Sequence, residues 1–214
     1  MMVCAVSSRI VRLLFALALT FTVAPASAAT IMVFGDSLSA GYGLKPGEGW
    51  VSLLERRLQK EKADYKVVNA SISGETTTGG RNRIAGALKT HHPSIVVVEL
   101  GANDGLRGGT VEQTKSNLEA IVDACRKAGS RVVLVGIRLP PNYGMAYTDK
   151  FRQVFPEVAR QKKTALVPFL FEGFADKPDY FQADGLHPAP NAQPIMLDLV
   201  WKELQPMLKK TMTK

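Results

Sequence analysis

Ser94-Ile95-Val96-Val97-Val98-Glu99-Leu100-Gly101-Ala102-Asn103-Asp104 is the stretch that decides the fold. Ile95 to Val98 are apolar and β-branched, in a run too short for a helix and without the polar alternation of a half-exposed strand. Such a run suits a strand buried on both faces, the situation of a parallel sheet covered by helices. Outward from it, similar runs stand at Thr30 to Phe34, Tyr65 to Asn69, Arg131 to Ile137 and Ala165 to Val167. Between them apolar residues recur at helical spacing. Val51, Leu54 and Leu58 form one such face. A helix is predicted from about Thr78 to Lys89. Val111, Leu118, Ile121, Val122 and Cys125 make a third face, closed by Gly129. A helix around Lys150 to Lys162 precedes the last strand, and Ile195, Met196, Leu199, Val200 and Leu204 mark a final one. Strands alternating with helices predict an α/β fold, a three-layer α/β/α sandwich around a five-stranded parallel sheet.

In open parallel sheets, ligands bind beyond the carboxyl ends of the strands. The residues just after each strand are therefore the candidates for chemistry. After the first comes Gly35-Asp36-Ser37-Leu38, which presents Ser37 as a nucleophile. After the second comes Ser73-Gly74-Glu75, where Gly74 offers an unobstructed N–H. After the third comes Asn103, with a side-chain amide donor. After the fifth comes Asp184-Gly185-Leu186-His187-Pro188. Asp184 can fix one ring nitrogen of His187, leaving the other to take the Ser37 proton. The other two histidines, His91 and His92, precede Pro93 and fall at the amino end of the third strand. Each element also has an ordinary structural reading: a capping or turn serine, turn glycine and asparagine, a capping aspartate beside a surface histidine. Their joint placement at one rim supplies nucleophile, base, orienting acid and oxyanion donors, the parts needed for acyl transfer.

The chain has 214 residues, is 46% hydrophobic and 21% charged, and carries a net charge of +8. Arg9 and Arg12, an apolar core from Val11 to Val23, and small residues at Pro25-Ala26-Ser27-Ala28 read as a secretory signal cleaved after Ala28. The alternative, a retained anchor, needs an apolar run of about 20 residues, and this one is shorter. The domain expected to follow spans residues 29–214, with a net charge of +6 once the two signal arginines are removed. It is expected to be periplasmic or secreted, without membrane insertion. Its basic residues are scattered, which argues against nucleic acid and leaves only weak attraction to a lipid surface. Cys4 lies in the signal, so Cys125 has no partner for an internal disulfide. It is read as a small core residue. A monomer is expected, since no spare apolar stripe remains after the core is assigned.

These motifs resemble those of the SGNH (GDSL) hydrolases. Ser37 in Gly-Asp-Ser-Leu matches the family's first block, Gly74 the second, Asn103 in Gly-Ala-Asn-Asp the third, and His187 in Asp-Gly-Leu-His the fifth. Glu99 to Gly108, Arg138 to Gly144 and Asp184 to Pro188 are similar to the periplasmic arylesterase, acyl-CoA thioesterase and lysophospholipase subgroup. Ala102 departs from it, where relatives often carry a second glycine. The resemblance implies a flavodoxin-like sheet and a serine esterase acting on acyl esters and thioesters. It implies Ser37 as nucleophile, His187 as base and Asp184 as its orienter. The oxyanion hole would comprise the Ser37 N–H, the Gly74 N–H and the Asn103 amide, with no metal or cofactor. Leu106, Leu139 and Tyr143 are the expected contacts for the acyl chain.

Four competing functions are weighed. A carbohydrate O-deacetylase would use the same site on acetyl groups. A protease is disfavoured, since an esterase site need not cleave peptides. A non-catalytic binding module is opposed by the filled triad and oxyanion positions. A nucleotide-binding domain lacks support, because Gly41-x-Gly43-x-x-x-Gly47 has the wrong spacing and no phosphate loop is present.

Overall fold

The computed structural model describes residues 28–208. Residues 1–27, which hold most of the expected signal together with Cys4, and the tail from Lys209 lie outside them. Five parallel strands, β1 (Ala29–Gly35), β2 (Tyr65–Asn69), β3 (Ile95–Glu99), β4 (Arg131–Val135) and β5 (Ala165–Val167), form one sheet in the order β2-β1-β3-β4-β5. Helices α1 (Ser37–Ala40), α2 (Trp50–Lys60), α3 (Thr77–His91), α4 (Ala102–Leu106), α5 (Val111–Lys127), α6 (Met145–Lys162) and α7 (Gln193–Leu204) lie between and after the strands. α2 and α7 pack together on one face, and α3, α5 and α6 on the other. None of these helices is long and apolar enough to cross a membrane.

The central strand β3 is buried along its whole length, and Ile95 to Val98 have no exposed surface. It pairs with β1 (Met32 beside Val96) and with β4 (Val97 beside Val133). Chain direction across the sheet reverses at β1, which pairs with β2 on one side and β3 on the other. The crevice at that switch lies beyond the carboxyl ends of β1 and β3, where the loops diverge and leave room for a ligand. Cys125 is free and buried against the core, and burial pushes its thiol up to about 12.

Local chemistry sets the boundaries. Thr76 and Thr110 cap α3 and α5, each accepting from the N–H three residues on. The strand predicted to reach Ile137 stops at Val135, because Gly136 turns across β5. The Gly136 N–H donates to the Val167 carbonyl at 2.8 Å, and a β-carbon there would stand 2.4 Å from the Pro168 carbonyl oxygen. The helix predicted near Lys150 begins earlier, at Met145. Gly144, at φ 87°, ends a 3-10 turn there and lets the chain enter α6 directly. His91 ends α3 and His92 caps it at φ 43°, both at the sheet's amino end.

Candidate active site

β1 ends in Gly35, and the chain turns at once into the four residues of α1. The Asp36 side chain caps that turn by accepting from the Leu38 N–H at 3.0 Å. Ser37 is thereby held at the first helical position, half-buried at the mouth of the switch-point crevice. The loop before α7 brings the opposite wall. Gln182 N–H donates to the His187 carbonyl, and an isolated antiparallel bridge joins Phe181 to Pro188, so residues 181–188 close on themselves. His187 Nε2 stands 2.9 Å from Ser37 Oγ, and His187 Nδ1 stands 2.6 Å from Asp184 Oδ2.

The ionised carboxylate is only an acceptor, so the Nδ1 carries the proton and Nε2 is left to accept from the Ser37 hydroxyl. The other Asp184 oxygen accepts the Leu186 and His187 N–H groups at 2.9 and 3.0 Å. The N–H of His187 foremost, joined by that of Leu186 and by the imidazole, holds the Asp184 carboxyl down at about 2, against an opposing effect of burial. The ring of Tyr42 lies over the imidazole, centroids 4.5 Å apart.

Asn103 sits in α4, just after β3. Its amide donates to Asp36 Oδ2 at 3.1 Å and to the Glu75 carbonyl at 3.0 Å, so it bridges the turns after β1 and β2. Asp104 beside it accepts both the N–H and the hydroxyl of buried Thr77, pinning α4 to the start of α3. Gly74 adopts φ 80°, and its carbonyl accepts from Arg107 at 3.2 Å. Among the described residues, no group accepts from the N–H of Ser37 or of Gly74.

A cleft of about 600 Å³ opens from Ser37 and His187. Leu106, Ile137, Leu139, Pro140, Phe169, Phe171, Phe181 and Leu186 give it mostly apolar walls. Tyr143 was expected to contribute, but it does not line the cleft. It ends the 3-10 turn Pro141–Tyr143, and its hydroxyl donates to the Leu106 carbonyl at 3.2 Å.

Several supporting residues were missed from sequence. Gln182 donates to the carbonyls of Tyr42 and Pro188, tying the serine loop to the histidine loop. Gln193, buried at the start of α7, accepts the Trp50 N–H and donates to Pro188 O. Neither carries a motif, but Gln193 is a polar residue at the start of an otherwise apolar helical run. Asp36 and Glu99 are fully buried behind Ser37. Their signal was available, since each is a charged residue ending an apolar strand.

Residues 33–193 match the GDSL-like Lipase/Acylhydrolase family. The chain belongs to that family. Among curated GDSL-family relatives, it is 50% identical to the esterase TesA of Pseudomonas aeruginosa over 192 residues, covering 90% of this chain and 96% of that one. It is 42% identical to the thioesterase 1/protease 1/lysophospholipase L1 of Escherichia coli over 195 residues, 91% of each chain. The crystal structure of the psychrotrophic esterase EstA from Pseudoalteromonas, inhibited by monoethylphosphonate, superposes with a TM-score of 0.79 at 40% identity. That match covers 83% of this chain and 97% of EstA. These likenesses carry the five-stranded parallel sheet and its flanking helices as the family fold.

Proposed function

We propose that this protein is a serine esterase that hydrolyses carboxylic acyl esters and thioesters with an apolar acyl chain. The observation that carries the proposal is the hydrogen-bonded line Ser37, His187, Asp184 at the mouth of an apolar cleft. Ser37 Oγ attacks the acyl carbonyl while His187 Nε2 takes its proton, and Asp184 stabilises the imidazolium. The carbonyl oxygen gathers negative charge as the tetrahedral intermediate forms. The unengaged N–H groups of Ser37 and Gly74 receive it, with the Asn103 amide as third donor. His187 then protonates the departing alcohol or thiol. A water activated by the same imidazole releases the acid and restores Ser37.

The names of the relatives, esterase, arylesterase and thioesterase, support this class. The cleft argues for a lipid-like acyl group over an acetyl sugar, because apolar walls of this extent would leave an acetyl group largely uncovered. Hydrolysis of p-nitrophenyl esters from acetyl to palmitoyl tests the proposal. Activity peaking at medium or long chains is expected. A peak confined to acetyl esters would favour the O-deacetylase, and no turnover at all would sink the esterase. Filling the cleft sharpens the test. Leu106→Trp should lower kcat/KM for the longer esters by about tenfold while leaving acetyl within about twofold, since each methylene excluded from an apolar pocket is worth about 1–3 kcal/mol. An unchanged chain-length profile would remove Leu106 from the acyl pocket.

Export is part of the same proposal, supported by the charged, apolar and small-residue order of residues 9–28. N-terminal sequencing of the processed protein from a bacterial host should begin at Ala29. An intact Met1 on the exported or soluble chain would refute it.

A further inference from the structure

Asp36 and Glu99 form a buried carboxyl pair that the hydrolytic scheme does not use. Among the described residues, neither makes an ion pair with a lysine or arginine. Their hydrogen bonds are unequal. Both Asp36 oxygens are served, Oδ1 by the Leu38 N–H at 3.0 Å and Oδ2 by the Asn103 amide at 3.1 Å. Glu99 Oε2 accepts from Ser39 Oγ at 2.7 Å and, more distantly, from the Asp36 N–H at 3.4 Å. Glu99 Oε1 is buried with no partner among the described residues. A buried carboxylate oxygen without a donor is strongly disfavoured, and two carboxyls in one dry site cannot both ionise. A proton on the unserved oxygen removes both problems.

We propose that Glu99 is a positioning residue that stands as the neutral acid, lending its proton to the Asp36 carboxylate and so fixing the turn that presents Ser37. Its catalytic consequence rests on the serine esterase reading, but its protonation does not. The Asp36 N–H approaches Glu99 Oε2 at 3.4 Å, and both side chains are fully buried. Burial, and then the Asp36 charge, push Glu99 well above the carboxylate range. Burial also raises Asp36, but the donors from Leu38 and Asn103 restrain it to about 6. Asp36 from the end of β1 and Ser39 from α1 face the Glu99 carboxyl, and Asn103 and His187 act on it only through Asp36.

Gly35 makes room for the device. A β-carbon there would lie 2.7 Å from Glu99 Oε2 and 2.8 Å from Ser39 Oγ. From Glu99 the chain of contacts runs to Asp36, then to the capped turn of Ser37 and the amide of Asn103. The charge kept on Asp36 also favours the His187 imidazolium that forms as Ser37 attacks.

Glu99→Gln keeps the shape, the neutrality and an N–H donor, whereas Glu99→Ala removes all but the shape of the backbone. In wild-type minus Glu99→Gln infrared difference spectra at neutral pH, the carbonyl stretch of a protonated carboxylic acid is expected. A carboxylate signature in its place would overturn the proposal. The Gln variant should keep kcat within about threefold of wild type. The Ala variant should lose at least about tenfold in kcat with KM within about twofold, as expected for misplaced rather than missing catalytic groups. Wild-type kcat in a folded Ala variant would refute the positioning role.

If the Ala variant does not fold, thermal stability decides. A carboxyl raised in the folded state gives stability that is whole below its unfolded value of 4.5 and is lost as pH climbs towards the folded value. The Tm of Glu99→Gln should therefore gain on wild type as pH rises above 4.5. A difference constant with pH would overturn the proposal. A wild type without ester hydrolysis would fail the esterase reading alone, and the infrared band would still decide the state of Glu99.

Discussion

Ser37→Ala is expected to lower kcat/KM for p-nitrophenyl esters by about 10⁴- to 10⁶-fold, with Tm changed by no more than about 3 °C. The two halves of this expectation have separate causes. The hydroxyl makes a single side-chain contact, to His187 Nε2 at 2.9 Å, in a half-buried position. Its loss leaves no buried group unpaired, because the imidazole faces the open cleft, so stability barely moves. Turnover falls because alanine offers no nucleophile. The oxyanion donors and the cleft stay intact, and the residue of activity they support is that of water attacking a positioned ester. Ester binding should survive, and an inactive variant that also fails to bind a substrate analogue would point to misfolding. Activity within tenfold of wild type would remove Ser37 as nucleophile.

Much of this arrangement was readable because the chemistry is tied to strand ends. The apolar run Ile95 to Val98 suits a buried parallel strand, and from it the order of elements puts the residues after each strand on one rim, where Ser37 and His187 meet. A parallel sheet puts every strand-to-helix loop at the same end. Sequence order therefore translated into spatial convergence without any distance being known. Asp184 and His187 needed even less, since three residues on one turn are neighbours wherever the turn lies.

What stayed hidden depends on packing between elements distant in sequence. Gln182 acts on a loop 140 residues earlier, and no local pattern marks a half-buried glutamine as a tie. Tyr143 was misplaced for a related reason. An aromatic residue after a Pro-Pro-Asn turn reads as a cleft wall, yet Tyr143 is not among the lining residues and its hydroxyl bonds the backbone of Leu106, which is. The Asn103 amide is expected to be an oxyanion donor. In the structure, its amide donates to Asp36 and Glu75, so the proposed oxyanion role requires one of these bonds to be shared. Glu99 was visible as a charge ending an apolar strand. Its partner Asp36 lies 63 residues away in sequence, and only the register of β1 against β3 puts them together.

Asp184→Asn is expected to lower kcat/KM by about 10³- to 10⁴-fold while leaving the backbone in place. The asparagine carbonyl can still accept the N–H groups of Leu186 and His187, which hold the turn at 2.9 and 3.0 Å. Its NH2 then faces His187 Nδ1, where a carboxylate oxygen stood at 2.6 Å. That nitrogen must become an acceptor, the proton moves to Nε2, and the imidazole can no longer take a proton from Ser37. The aspartate's ionisation does not set the lower pH limit of wild-type activity, because the turn N–H groups hold it at about 2. A carboxyl lowered in the folded state gives stability that is present above its unfolded value of 3.8 and lost as pH falls towards 2. Any stability advantage of wild type over the variant should therefore shrink only below pH 3.8, and stay small, since Asp184 is 38% exposed and screened by water. A Ser37→Ala, Asp184→Asn double variant separates the roles. If Asp184 acts only by setting the tautomer for Ser37, the second substitution should add less than about twofold to the loss from the first. A loss in the double variant equal to the product of the two single losses would show that Asp184 acts independently of the nucleophile.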